Sequence, residues 1–349
     1  MIKYYTRPCN FYYGKSSIRK VKKKLSIPLH GNNLISFDAI EIISRKKKKI
    51  INIQSIKNQS KEIKKKILLD IGRISKKKKF KNLNFSILPI IMGVLNLTPD
   101  SFSDGGKYNK KNIGINHAKK LFNDGCQILD IGGESTRPGS KEISVNKEWK
   151  RISSIFSKLI KMKKIISLDT RKSVIMKKGI KNGVNIINDV SGLNHDPDSI
   201  KILSETNIPF IIHHMQGNPS IMQKKPRYKN VLLDIYDFFE KKIRYIRSKG
   251  IYHNNIIIDP GIGFGKNLKH NITLLKNISI FHSLGFPVML GTSRKRFIKD
   301  LSGINDSKER LGGTIASCLF LIMQGVQILR VHNVNEVQQS IKIFNSLKY

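Results

Sequence analysis

Eight short apolar runs recur in order between residues 90 and 333, and they constrain the fold more than any other feature of the chain. They read IIMGVLN, QILDIGG, IISLDT, NIINDVSG, FIIHHM, NIIIDPG, PVMLGTS and QILRVHN. Each is mostly Ile, Val, Leu and Met, too continuous for a strand with one face in water. Such runs suit parallel strands covered on both sides. Stretches with helical spacing separate them, such as HAKKLFNDG, IYDFFEKKIRYIRSKG and ERLGGTIASCLFLIMQG. Gly125, Gly250 and Gly325 stand where helix stops are expected. Strand–helix alternation repeated eight times over roughly 260 residues predicts an α/β fold, a closed (β/α)8 TIM barrel spanning residues 87–349. An open doubly wound sheet is the alternative, but no GxGxxG turn opens it.

A barrel of this kind should carry its chemistry at the carboxyl ends of its strands. Those ends hold Asn96, Asp130 with Glu134, Asp169, Asn188 with Asp189, His213 and His214, Asp259, Ser293 to Lys295, and Arg330 with His332. Any one Asp could be a helix N-cap, but a full ring of polar ends exceeds what capping needs. Asp169, Asn188 and Asp259 could hydrogen-bond a flat, nitrogen-rich ring, because a carboxylate pairs well with an amidine-like edge. Lys295, Arg330 and His332 form an anion-binding set at strands seven and eight, where barrels often bind phosphate. With Asn96 they could hold a diphosphate and its Mg²⁺, a hard cation that prefers oxygen ligands and water.

Other motifs read more plainly. GIGFGK, residues 261–266, lacks P-loop spacing, so its glycines are taken to let a loop turn tightly beside a ligand. Adjacent strand residues face opposite ways, so at most one of His213 and His214 faces the barrel interior; the pair is read as packing behind the site, not as metal ligands. Phe264 is placed to contact an aromatic substrate. The loops VLNLTPDSFSDGG (94–106) and ESTRPGS (134–140) hold more short oxygen-bearing side chains and glycine than a turn requires.

With 65 Lys and Arg against 24 Asp and Glu, the formal charge is +41. That could mean a nucleic-acid partner. The lysines, however, come in solvated runs without interleaved aromatic residues (Lys46 to Lys49, Lys64 to Lys66, Lys76 to Lys79), and compositional drift is the preferred reading. No apolar run approaches the ~18 residues of a membrane span. The start, MIKYYTRPCNFYYG, lacks a secretory apolar core, so a cytoplasmic setting is expected. Cys9, Cys126 and Cys318 have no zinc-site spacing, and the last two read as core thiols. Residues 1–86 form a basic N-terminal extension of uncertain structure, at most a small, partly ordered β-containing unit. Its single strand-like stretch, LISFDAIEII, alternates as an edge strand would. A chain starting near residue 80 is expected to keep activity.

GVLNLTPDSFSDGG, LDIGGESTRPGS, the LDT of the third run, INDVSG, HHMQGNP, IIIDPGIGFGK, GTSRKRF and LRVHNV occur in that order. Over residues 88–349 the chain thereby resembles the dihydropteroate synthase family, the folate-pathway transferases inhibited by sulfonamides. The resemblance implies joining 6-hydroxymethyl-7,8-dihydropterin diphosphate to 4-aminobenzoate, with 7,8-dihydropteroate and diphosphate as products. It implies Asn96 holding Mg²⁺ on the diphosphate, and Asp169, Asn188, Asp259 and Lys295 holding the pterin. Arg330 and His332 would bind the diphosphate. Thr136, Pro138, Phe264 and Ser293 would border the aminobenzoate, with Arg294 near its carboxylate. Arg137 and Met215 also count as substrate-binding. Lys295, Asp100 and Phe102 count as catalytic, the last two on a lid that shields a pterin cation from water.

Family members are commonly dimers, so a homodimer is expected. Asn333 stands where the family more often has Asp, and the segment before residue 87 is absent from the shortest members. The nearest rival, a methyltetrahydrofolate-dependent methyltransferase on a similar barrel, has no use for a diphosphate site. ESTRPGS, SRKR and RVH argue against it.

Overall fold

The structure is a computed structural model in which residues 2–80, 83–98, 111–135, 139–217, 222 and 226–348 are described. The N-terminal segment folds as β1 (Tyr5–Tyr13), α1 (Gly14–Lys22), β2 (Ile27–Leu29), β3 (Asn32–Ile43), β4 (Lys48–Asn52) and α2 (Lys61–Ser75). Its strands form an antiparallel sheet in which β3 pairs with β1, β2 and β4. LISFDAIEII is therefore the central strand, not the expected edge, and it is buried from Ile35 to Ile43. Its alternation misled because its polar residues are satisfied inside the protein. Ser36 meets Ser17 and Ser26, Tyr12 donates to Asp38 at 2.8 Å, and Arg7 pairs with Glu41 at 2.6 Å. The lysine runs need a correction too. Lys78 is buried, donates to the Arg73 carbonyl at 3.0 Å, and is pushed down to about 8 by burial.

The alternation that follows is the predicted one. Its first half runs β5 (Ile90–Asn96), α3 (Lys111–Asn123), β6 (Ile128–Gly132), α4 (Val145–Ile160), β7 (Ile165–Asp169), α5 (Ser173–Lys181), β8 (Ile186–Asp189) and α6 (Ser199–Thr206). The second runs β9 (Phe210–His213), α7 (Val231–Ser248), β10 (Ile256–Asp259), α8 (Leu268–Lys276), β11 (Met289–Leu290), α9 (Arg296–Ser302), α10 (Leu311–Ile322), β12 (Ile328–Val331) and α11 (Val334–Lys348). The eight strands pair in parallel in the order β10-β9-β8-β7-β6-β5-β12-β11. The ring closes where Ile258 bridges Val288 and its N–H donates to the Pro287 carbonyl at 3.0 Å. Gly125, Gly250 and Gly325 take the left-handed conformation expected of helix stops.

Two-residue periodicity divides each strand between two cores. Ile91, Leu95, Leu129, Ile131, Ile166, Leu168, Ile187 and Ile212 pack outward with the helices. Ile90, Met92, Ile128, Ile186, Ile211, Ile257, Met289 and Ile328 point inward at the amino ends, where Phe80, Leu83 and Phe85 pack against them as a plug. Continuing each inward row toward the carboxyl end changes its chemistry to Asp130, Asp169, Asn188, His213, Asp259 and Arg330. The barrel is thus greasy at one end and polar at the other. The N-terminal sheet lies against the outside, with Tyr5 edge-on to Tyr236 of α7 at 5.2 Å and Ser283 donating to the Thr6 carbonyl at 2.6 Å. Among the described residues no helix is long and apolar enough to cross a membrane.

Candidate active site

A pocket opens at the polar end, lined by Asp169, Asn188, Val190, His213, Asp259, Phe264, Gly291, Ser293, Lys295, Arg330 and His332. These residues come from the ends of six strands and the loops that follow them, and a continuous polar network joins many of them. Arg330 donates from Nε to Asp130 Oδ2 at 2.6 Å and from Nη2 to Asp169 Oδ2 at 2.8 Å. Asn188 Nδ2 donates to the same Asp130 oxygen at 3.0 Å, and Asn188 Oδ1 lies 2.7 Å from His213 Nε2. The other His213 nitrogen sits 3.4 Å from Asp259 Oδ2, while Asp259 Oδ1 accepts the Gly261 N–H at 2.7 Å.

Burial sets the charges in this network. It pushes Asp169 up to about 8, against the pull of Arg330 and with Asp130 adding to the rise. It pushes Lys295 down to about 8, opposed by Asp259 and reinforced by Arg330. Against the same burial, Asp130 and Asp169 keep Arg330 firmly cationic. One cation therefore sits between two acidic side chains, and a softer one lines the same pocket. Lys295 Nζ lies 4.4 Å from the centre of the Phe264 ring, a cation–π contact, and bonds the Ile262 carbonyl.

The GIGFGK loop turns as tightly as its glycines suggested. Gly261 has φ +71°, and a Cβ there would lie 2.1 Å from the His214 carbonyl oxygen. Lys266, fully buried, ties this loop to β9 by donating to the carbonyls of His214 and Phe264. A second buried charge cluster gathers around Glu134. Lys172 Nζ pairs with Glu134 at 2.9 Å and with Glu148 at 2.8 Å, and Arg171 Nε reaches Glu134 at 2.9 Å.

The structure brings together Asp169, Asn188, Asp259, Phe264, Ser293, Lys295, Arg330 and His332, all expected from the sequence. Asn96, at the end of β5, flanks the same mouth: a Cβ on Gly132 would lie 3.5 Å from both Asn96 Oδ1 and Asp169 Cβ. Met215 and Arg294 are not in the pocket lining; the Arg294 guanidinium instead donates to Asn333 Oδ1 at 2.8 Å. Asp189 faces away from the pocket and caps the following turn through Ser191 and Leu193. Asp100, Phe102, Thr136, Arg137 and Pro138 lie outside the described residues. Of the histidine pair, His214 packs against Phe238 at 4.8 Å, as expected of a packing residue. His213 corrects that expectation, because it lines the pocket itself. Among the described residues no cluster of His, Cys, Asp or Glu could cage a metal ion. The amide oxygen of Asn96 fits an ion held mostly by substrate phosphates and water, as Mg²⁺ usually is.

The profile of the pterin binding enzymes matches residues 92–332. The dihydropteroate synthase of Escherichia coli K12 is 40% identical over 256 residues, covering 73% of this chain and 90% of that one. The Yersinia pestis dihydropteroate synthase, solved with a sulfonamide drug, superposes with a TM-score of 0.73 at 37% identity, over 76% of this chain and 96% of its own. The Xanthomonas albilineans dihydropteroate synthase, solved with 7,8-dihydropteroate, gives a TM-score of 0.68 at 30% identity, over 76% and 95%. The chain belongs to the pterin binding enzyme family and, within it, to the dihydropteroate synthases.

Proposed function

We propose that the pocket is where 6-hydroxymethyl-7,8-dihydropterin diphosphate and 4-aminobenzoate are joined, and that the residues lining it divide the work. The chain acts as a dihydropteroate synthase, a transferase that releases diphosphate and 7,8-dihydropteroate. The observation that carries the division of labour is that buried acceptors (Asp169, Asn188, Asp259) and cations (Lys295, Arg330) line one pocket. Asp259 grips the amidine edge of the pterin, and Asn188 and Asp169 hold its rim. A buried carboxylate left without those N–H partners costs about 1–3 kcal/mol or more, so rings lacking them are rejected.

The reaction breaks the C–O bond between the pterin methylene and the diphosphate, whose oxygen keeps the electron pair. The arylamine lone pair then forms the C–N bond, and the amine gives up a proton. Arg330, Lys295 and His332 stabilise the charge gathering on the leaving oxygens, the type of term that usually dominates such catalysis. Phe264 and Ser293 orient the aminobenzoate. Asn96 would hold Mg²⁺, which supplies Lewis-acid assistance to diphosphate departure when bound. Asp100 and Phe102, outside the described residues, would serve to keep water from the pterin cation.

A homodimer and a cytoplasmic setting complete the proposal; light scattering tests the first. Calorimetry with the pterin diphosphate, with and without Mg²⁺, followed by 4-aminobenzoate addition and product analysis, tests the rest. Ordered binding and dihydropteroate formation are expected. Pterin binding without product would refute the transferase assignment.

A further inference from the structure

One buried carboxylate dictates the direction of every hydrogen bond on one side of the pocket. Asp130 is fully buried, and its Oδ2 accepts from the Arg330 guanidinium at 2.6 Å and so faces its neighbours as an acceptor. The Asn188 amide beside it must therefore offer Nδ2, which turns Oδ1 toward His213. Because that oxygen can only accept, His213 Nε2 at 2.7 Å must carry a hydrogen. The neutral ring then presents Nδ1 as a lone pair. This nitrogen is buried and has no hydrogen-bond partner among the described residues. It faces Asp259 Oδ2, another acceptor, at 3.4 Å. A second ring proton would relieve the conflict, but burial opposes it. With Arg330 and Lys295 adding to burial and Asp259 and Asp130 opposing it, the imidazole is held down to about 4. The two acceptor atoms thus stand side by side with no donor between them.

We propose that His213 Nδ1 and Asp259 Oδ2 act as a paired acceptor that reads two neighbouring N–H groups on one edge of the bound heterocycle. His213 is then a specificity residue that touches substrate, and Asp130 and Asn188 are positioning residues that set its tautomer. The 3.4 Å spacing suits two N–H groups whose nitrogens share one carbon, as on an amidine edge. A ring lacking one of them strands a buried acceptor, which is how polar sites discriminate more sharply than apolar ones. The inference rests on the reading that this pocket holds the pterin.

The test compares affinities for the dihydropterin diphosphate and for an analogue in which C–H replaces one N–H of that edge, by calorimetry at pH 7. The wild-type chain, His213→Met, His213→Gln, Asp130→Asn and Asp259→Ala are measured in parallel. The wild type should prefer the natural ring about a hundredfold, and His213→Met should shrink that preference about tenfold. Asp130→Asn should shrink it as well, because its amide can meet Asn188 in either sense. His213→Gln, which can donate to Asn188 and still present an oxygen, should restore most of it. A purely structural defect would weaken both ligands alike and leave the ratio untouched. An unchanged ratio in both His213→Met and Asp130→Asn would overturn the inference. If Asp259→Ala binds the natural ring as the wild type does, the assignment of the pocket itself fails.

Discussion

At neutral pH the ammonium of Lys295 stands close to its own midpoint, because burial pushes it down to about 8. The cation is present below that value and is lost above it. Affinity for the diphosphate-bearing pterin should therefore fall as pH rises through about 8, whereas Lys295→Arg, always charged, should keep only the shallower fall that ionisation of Asp169 causes. Calorimetry between pH 6 and 9.5 reads the difference; parallel profiles in the two proteins would remove Lys295 from the anion site. The folding linkage runs the other way. Between about 8 and the ordinary lysine value the unfolded chain holds the proton more tightly, so this group makes stability rise with pH there. Most of the pocket was readable in advance at this scale because strand residues alternate. Asp169, Asn188, Asp259 and Arg330 continue inward rows that begin with isoleucines, whereas Asp189 and His214 fall one place off and face the helices. His213 obeyed the same rule, but a doublet hides which member points in until the register is known. Met215 and Arg294 were carried over from family motifs, and no periodicity of this chain supported them.

Among elements, the loop after β10 shows what glycine is for at this site. Gly261 and Gly250 both take left-handed conformations, but an added Cβ would strike the His214 carbonyl at Gly261 and meet nothing within 4 Å at Gly250. Gly250→Ala should cost only the conformational penalty, about 1–2 kcal/mol. Gly261→Ala should cost more than that and weaken pterin binding too, because the loop carries Phe264 and its N–H holds Asp259. Chemical denaturation paired with calorimetry separates the two; equal costs would mean that the loop yields freely. The charge cluster around Glu134 gives a matching case. Lys172→Met leaves Glu134 and Glu148 buried beside each other with one cation fewer, a loss expected at roughly 3–5 kcal/mol. The barrel strands were legible because both their faces are dry. The N-terminal strands were not: β1 carries Pro8, Cys9 and Asn10, the last at φ +57°, which break any apolar run. The polar residues of β3 find partners that only the folded sheet supplies.

A net charge of +41 attracts small anionic substrates without specificity and does not by itself name a partner. The N-terminal segment has a firmer physical role. We propose that it is a brace for the closed end and flank of the barrel. Tyr5 and Tyr236 bury each other, Tyr13 donates to the Ile322 carbonyl at 2.8 Å, and Asp237 takes Lys3, Tyr5 and Arg45 together. Phe80, Leu83 and Phe85 fill the greasy end, each contributing about 1.5–3 kcal/mol through burial. A chain starting at residue 80 keeps that plug and the distant mouth but bares Tyr236. Its turnover per folded molecule should survive at low temperature while its melting midpoint drops. A chain starting at residue 87 loses the plug as well and should melt lower still or fail to fold. Thermal melts and activity of the three lengths decide the matter; equal midpoints would reduce the segment to an appendage.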